Sequence, residues 1–253
     1  MPRPAEPNNR VTGSTVRNKW PWILGVLVVI FLVRMLAPAI DETLDAGTSP
    51  DSPSDIADPK QIQAAFEALA TLEVKGRAPE TGYDRELFGR SWTDNVSVPF
   101  GRNGCDTRND ILQRDLVDIA FRDKTRNCVV QSGTLRDPYT GNSIAFTRGT
   151  RTSDEVQIDH IVALSDAWQK GAQLLDAETR ANLANDPLNL QAVDGPTNQR
   201  KSDADASTWL PPSKTYRCIY VARQVEVKVV YRLWVTPPER DAMEAVLTEC
   251  GAH

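Results

Sequence analysis

The chain has 253 residues, of which 40% are hydrophobic and 25% charged, with a formal net charge of −5. That length holds one ordinary domain plus accessory segments. The mild acidity argues against a protein that coats nucleic acid non-specifically, which would be basic overall, but it leaves room for a local basic groove.

A basic head over residues 1–19, with Arg3, Arg10, Arg17 and Lys19, precedes an almost wholly apolar run from Trp20 to Ala39. A span of about 20 apolar residues can cross a bilayer. Trp20 and Trp22 suit the headgroup layer at one end, and Arg34 can snorkel at the other. The basic flank predicts a cytoplasmic head and an exported remainder. A cleaved signal peptide competes with a membrane anchor, because Ala37-Pro38-Ala39 has cleavage-like spacing. The long head and the proline favour the anchor. Residues 40–58 are rich in Asp, Ser, Pro and Thr and read as a solvated linker.

The remaining residues, 59–253, are expected to form one α+β domain that is mainly helical. Asp58-Pro59 starts a helix whose inward face carries Ile62, Phe66 and Leu69. Tyr83 to Gly104 reads as irregular, with Trp92 and Phe100 as core anchors. Asp106 to Phe121 is expected to be a second helix, lined by Ile111, Leu112, Leu116 and Ile119. Strands are expected at Val129–Leu135 and Ser143–Phe146, joined by the turn Asp137-Pro138-Tyr139-Thr140-Gly141. Another strand runs from Val156 to Leu164, with helices around Ser165–Gly171 and Ala177–Ala184. A short strand, Leu188–Val193, ends at Asp194-Gly195-Pro196, after which Thr197 opens a helix. A helical hairpin closes the chain, its second arm started by the capping box Thr236-Pro237-Pro238-Glu239.

Four cysteines, Cys105, Cys128, Cys218 and Cys250, without CxxC spacing, predict two disulfides in an exported chain rather than a zinc site. Antiparallel hairpin arms bring Cys218 and Cys250 together, which leaves Cys105 for Cys128.

The chain has two histidines, and His253 is its last residue. His160, in Gln157-Ile158-Asp159-His160-Ile161-Val162, is therefore the candidate for chemistry. A lone histidine on a strand is more often structural, but this one has company. Asn189 lies in Asn185-Asp186-Pro187-Leu188-Asn189-Leu190, and Asn198 leads Asn198-Gln199-Arg200-Lys201-Ser202. No GxSxG elbow and no Walker loop is present.

Asp-His-Ile-Val, then Asn-Leu before a turn, then Asn-x-x-Lys resembles an HNH (ββα-metal) nuclease. The stretches GCDTRND, SGTLRDPYTG, QIDHIVALSDAW, ANDPLNLQAVDGPTNQRKSD and TWLPP resemble the exported actinobacterial branch of HNH proteins, which is related to the C-terminal nuclease domain of GmrSD-type restriction enzymes. The resemblance covers roughly residues 80–250, with the core at 156–203.

It implies a ββα-metal core, with His160 as general base, Asp159 and Asn198 holding Mg²⁺ (or Mn²⁺ or another divalent cation), and Asn189 bracing the His loop. Lys201, and less certainly Arg200, would contact phosphate. The chemistry is coherent, since phosphodiester hydrolysis needs an activated water and charge neutralisation at the phosphate. Mg²⁺ favours few protein ligands, all oxygen. The substrate class implied is DNA outside the cytoplasmic membrane. RNA remains an alternative, as does a catalytically weak cell-envelope binding domain on the same scaffold. One geometric condition attaches to the motif. Adjacent strand residues face opposite ways, so the chain must twist or leave the strand near His160 for both groups to border one phosphate.

Overall fold

Helix starts in this protein follow side chains able to accept the free amides of a first turn. The computed structural model describes residues 57–149 and 154–253, all within one compact unit, Ser52–His253. Asp58 caps helix α1 (Pro59–Leu69), Asp106 caps α2 (Thr107–Asp115), Asp176 caps α4 (Ala177–Asn185) and Asp194 caps α5 (Gly195–Lys201). Helix α7 (Pro237–Glu249) begins with the complete capping box of Thr236 and Glu239. Helices α3 (Leu164–Gln169) and α6 (Arg217–Val230) lack a side-chain cap.

Strands β1 (Leu116–Phe121), β2 (Val130–Arg136) and β3 (Ser143–Thr147) form an antiparallel sheet in that order. Strands β4 (Val156–His160) and β5 (Leu190–Asp194) form a separate antiparallel pair. The architecture is mixed α+β. Helix α5 follows β5 directly and packs on both strands of the pair. The turn into it needs Gly195, because a Cβ there would sit 1.9 Å from the carbonyl oxygen of Asp154.

Three apolar cores support these layers. One lies between α1, α6 and α7 and includes Tyr139 and Tyr220. Another surrounds Phe88, Trp168 and Leu183, and the last joins α2 and β2 to β4 and β5 through Ile111, Leu135 and Ile158. Disulfides join Cys105 to Cys128 and Cys218 to Cys250. Closing such loops stabilises the fold by about 3–4 kcal/mol each.

The expected second helix, Asp106–Phe121, stops at Asp115, and residues 116–121 are strand. The physical reason is tertiary. The Asp115 carboxylate accepts the Ala192 amide at 2.7 Å and the Gln191 side chain at 2.9 Å, which ties the helix end to β5. Leu116 turns extended, with ψ 149°, and β1 then pairs with β2 through an irregularity near Asp118, whose φ is 53°. The apolar spacing of residues 111–119 fits either element, and strand pairing decides it. The strand expected over Val156–Leu164 ends at His160, and Leu164 already opens α3.

The apolar segment 20–39 and most of the linker lie outside the described residues. Among the described residues, no helix is long and apolar enough to cross a membrane.

Candidate active site

The site is built at the end of β4, where three segments fix the backbone around His160. The register Asp159↔Gln191 and His160↔Leu190 holds the two residues in regular strand. The chain then leaves the strand over Asn189, which is fully buried. Asn189 accepts the Ile161 amide on its backbone carbonyl at 2.8 Å and the Val162 amide on Oδ1 at 2.8 Å. Its Nδ2 donates to the carbonyls of Val162 and Leu183. Gln224 of α6 donates to the Ile161 carbonyl at 3.1 Å. The loop after His160 is therefore held from two sides by side-chain amides, which suit backbone partners because each can donate and accept.

His160 is 7% exposed, and its imidazole stacks on Trp92 with ring centroids 6.0 Å apart. Its Nε2 lies 3.0 Å from the carbonyl oxygen of Ala184. A carbonyl can only accept, so Nε2 carries the proton and Nδ1 carries the lone pair. Nδ1 has no hydrogen-bond partner among the described residues and is not among their fully enclosed unpaired atoms. Burial pushes the imidazole pKa down to about 3, with Arg85 adding to the effect and the Ala184 carbonyl opposing it. The ring is thus neutral at pH 7 and, by itself, only weakly basic.

Asp159 is 5% exposed and its carboxylate is held on the opposite face. Oδ1 accepts from Lys201 Nζ at 2.9 Å, and Oδ2 accepts from the Tyr139 hydroxyl at 2.5 Å. Lys201 is fully buried and also donates to the His160 carbonyl at 2.8 Å. Its ammonium is turned inward on the Asp159 carboxylate rather than outward to a phosphate. Arg200 is exposed, and its guanidinium donates to Thr197 Oγ1 at 2.7 Å. Asn198, on the first turns of α5, donates through Nδ2 to Gln157 at 3.0 Å, and its Oδ1 has no partner among the described residues.

The strand stays regular through both motif residues, and their bonded partners lie on opposite faces. Even so, Asp159, His160 and Asn198 line one open cavity of about 380 Å³ at the strand end, together with Arg85, Ser202 and Asp203. The cavity, rather than a bend in β4, brings them together.

Two neighbours of the motif were not expected from the sequence. Tyr139 reads there only as part of a turn, yet it is the hydroxyl partner of Asp159. Trp92 reads as a core anchor, yet it is the stacking partner of His160. No short-range pattern could have paired residues so distant along the chain. Among the described residues, no group of three or more His, Cys, Asp or Glu side chains could hold a metal by itself. Any cation here would rely on Asp159, an amide oxygen and water.

Residues 106–246 match the family model for GmrSD restriction endonucleases, C-terminal domain. An "Uncharacterized secreted protein" of Arthroderma benhamiae is 34% identical over 212 residues, covering 82% of this chain and 96% of that protein. No solved structure matches. On both the family match and the extent of this likeness, the chain belongs to the family of the C-terminal domain of GmrSD restriction endonucleases.

Proposed function

We propose that this protein is an HNH-type endonuclease that hydrolyses phosphodiester bonds in DNA with a divalent cation. The observation that carries the reading is the state of His160. Its ring is neutral, its Nε2–H is committed to Ala184, and its free Nδ1 belongs to a group lining the same cavity as Asp159 and Asn198. A general base needs a vacant lone pair, a fixed ring and sufficient basicity. This histidine has the first two, and the negative charge of a bound phosphate would raise its lowered pKa.

The regular strand turns Asp159 and His160 to opposite faces, which counts against a shared site, and the cavity that both line is what keeps the reading. A hard cation that keeps most of its waters would take a remaining lone pair of Asp159, whose oxygens also accept from Lys201 and Tyr139, and Asn198 Oδ1 from the wall of the same cavity. Bound there, Mg²⁺ or Mn²⁺ would neutralise charge on the phosphate and the departing oxygen. Lys201 and Tyr139 would fix the orientation of the carboxylate, and Asn189 would hold the loop that carries His160.

An extracytoplasmic site of action fits the apolar segment at residues 20–39, the two disulfides, and the secreted relative. The test is plasmid nicking by the full-length chain, purified in detergent, with Mg²⁺ or Mn²⁺ added. His160→Ala is expected to lower the rate by about 10²–10⁴-fold while leaving the circular-dichroism spectrum unchanged. Nicking at the wild-type rate in that variant would remove His160 from the chemistry.

A further inference from the structure

The cavity beside His160 does not end at the motif. A narrow cleft of about 20 Å³ lined by Arg85, Arg90, Trp92 and His160 leads from it. Arg90, Ser91 and Trp92 then also line a larger groove of about 730 Å³, whose wall includes Arg102, Arg108 and Arg148. Each space shares lining residues with the next, so the three adjoin one another between the strand end and the Cys105–Cys128 disulfide.

The charges of the larger groove are unbalanced. Arg90, Arg102, Arg108 and Arg148 make no ion pair among the described residues. Arg108 donates to the Val156 carbonyl at 3.2 Å, and Arg148 to the Val130 carbonyl at 2.7 Å and to Asn109 Oδ1 at 2.5 Å. Those neutral acceptors position the two guanidiniums without cancelling their charge. Burial and the neighbouring Arg148 lower the Arg108 pKa, and the carboxylates of Asp106 and Asp154 oppose them without restoring it.

Two acidic residues share the groove, and both are tied to neutral donors. Asp94 accepts the Asn103 and Gly104 amides at 3.0 and 2.9 Å, and Asp106 accepts the Asn109 amide and side chain. Four arginines against these two aspartates leave the groove with a positive excess on a chain with a net charge of −5.

We infer that this arginine-lined groove is the track for the phosphate backbone of the DNA strand that enters the His160 cavity. The inference rests on the nuclease reading for the identity of the polyanion. It adds a binding surface drawn largely from residues 85–102, ahead of the family match that begins at residue 106. Arginine forks at a spacing set by backbone carbonyls suit phosphate oxygens, and such contacts carry affinity without sequence preference.

The test measures binding of a short fluorescein-labelled DNA duplex by anisotropy, in EDTA to prevent cleavage, over a salt series. The full-length chain is expected to bind with a clear salt slope. Arg90→Gln with Arg102→Gln is expected to weaken binding about tenfold on unrelated sequences and to lower the slope by about 1–2. Arg148→Gln should lower the slope by about 1, whereas Arg148→Lys, which keeps the charge, should retain it. Lys214→Gln, at an exposed position away from the groove, serves as the control and should match wild type.

Wild-type affinity and slope in the Arg90/Arg102 variant would overturn the groove assignment, as would absence of duplex binding by the wild-type chain. Binding without metal-dependent nicking would remove the nuclease reading and keep the groove. Nicking with unchanged affinity in the arginine variants would do the reverse.

Discussion

Two regions of this molecule bury charge, and they do so in opposite ways. Beneath α3, Lys170 lies 2.7 Å from each of Asp166, Asp205 and Glu239. Lys228 reaches Glu239 at 3.0 Å, and Arg77 reaches Asp166 at 3.0 Å and Asp205 at 2.7 Å. Three cations meet three carboxylates, and the lysines are fully buried. Burial alone would lower the Lys170 ammonium, but Asp166 and Glu239 outweigh it and raise its pKa. Lys170 and Ser207 similarly hold the Asp205 carboxyl below the usual range against the effect of burial.

At the end of β4 the groups are incompletely partnered. Among the described residues His160 has an open nitrogen, Asn198 an open oxygen, and the groove arginines form no ion pair. The comparison teaches that burial does not distinguish structure from chemistry. A closed network spans residues from Arg77 to Glu239 and knits segments together, whereas groups left with spare valence at a cavity can act on something else.

The largest expected effect comes from breaking the closed network. Lys170→Met leaves three carboxylates with two cations, and is expected to cost about 3–5 kcal/mol in urea unfolding. Adding Glu239→Gln, which removes one of those negative charges, should restore part of the loss. An additive double variant would mean that the two residues do not act as a unit.

Tyr139→Phe tests the other region, because it removes one hydrogen bond from Asp159 by a change at a residue that does not itself line the cavity. Stability should fall by about 1–2 kcal/mol. In a Mg²⁺ titration of nicking, the same variant should need about tenfold more cation or lose a similar factor in rate. Unchanged metal dependence would show that Asp159 needs no bracing from the tyrosine.

The smallest effect is one of pH. His160 titrates near 3 in the folded state and near its ordinary value of about 6.5 when unfolded. Between those values the unfolded chain binds more protons, so the contribution to stability is complete above 6.5 and is lost as pH falls toward 3. From pH 6.5 to 5 the loss should be on the order of 1–2 kcal/mol. His160→Asn should flatten that part of the profile, and an identical slope in the variant would assign it to other groups.

Local order was legible wherever a single segment carried its own signal. The capping box at Thr236, the Asp58-Pro59 start and the pairing of Cys218 with Cys250 each follow from neighbouring residues or from the antiparallel run of two arms. The second helix was misjudged beyond Asp115, because Leu116, Ile119 and their neighbours satisfy both periods until β2 is present to pair with. The motif residues could be proposed from the family resemblance, but not their partners. Lys201 could be expected at a phosphate, whereas the fold turns it onto Asp159.

What the sequence by itself determined was the family, the α+β class and the disulfide pairing, and it proposed Asp159, His160, Asn189 and Asn198 as a set. These depend on residue type and short spacing, which survive without coordinates. Only the tertiary structure decided that β4 stays straight through its motif and that a cavity unites its two faces. It also decided that Trp92 and Tyr139 flank the site, and that arginines on an acidic chain converge on one groove. The physical reason is the same in each case. Such features arise where segments far apart in the chain approach each other, and no local propensity encodes which carbonyl, ring or carboxylate will be waiting there.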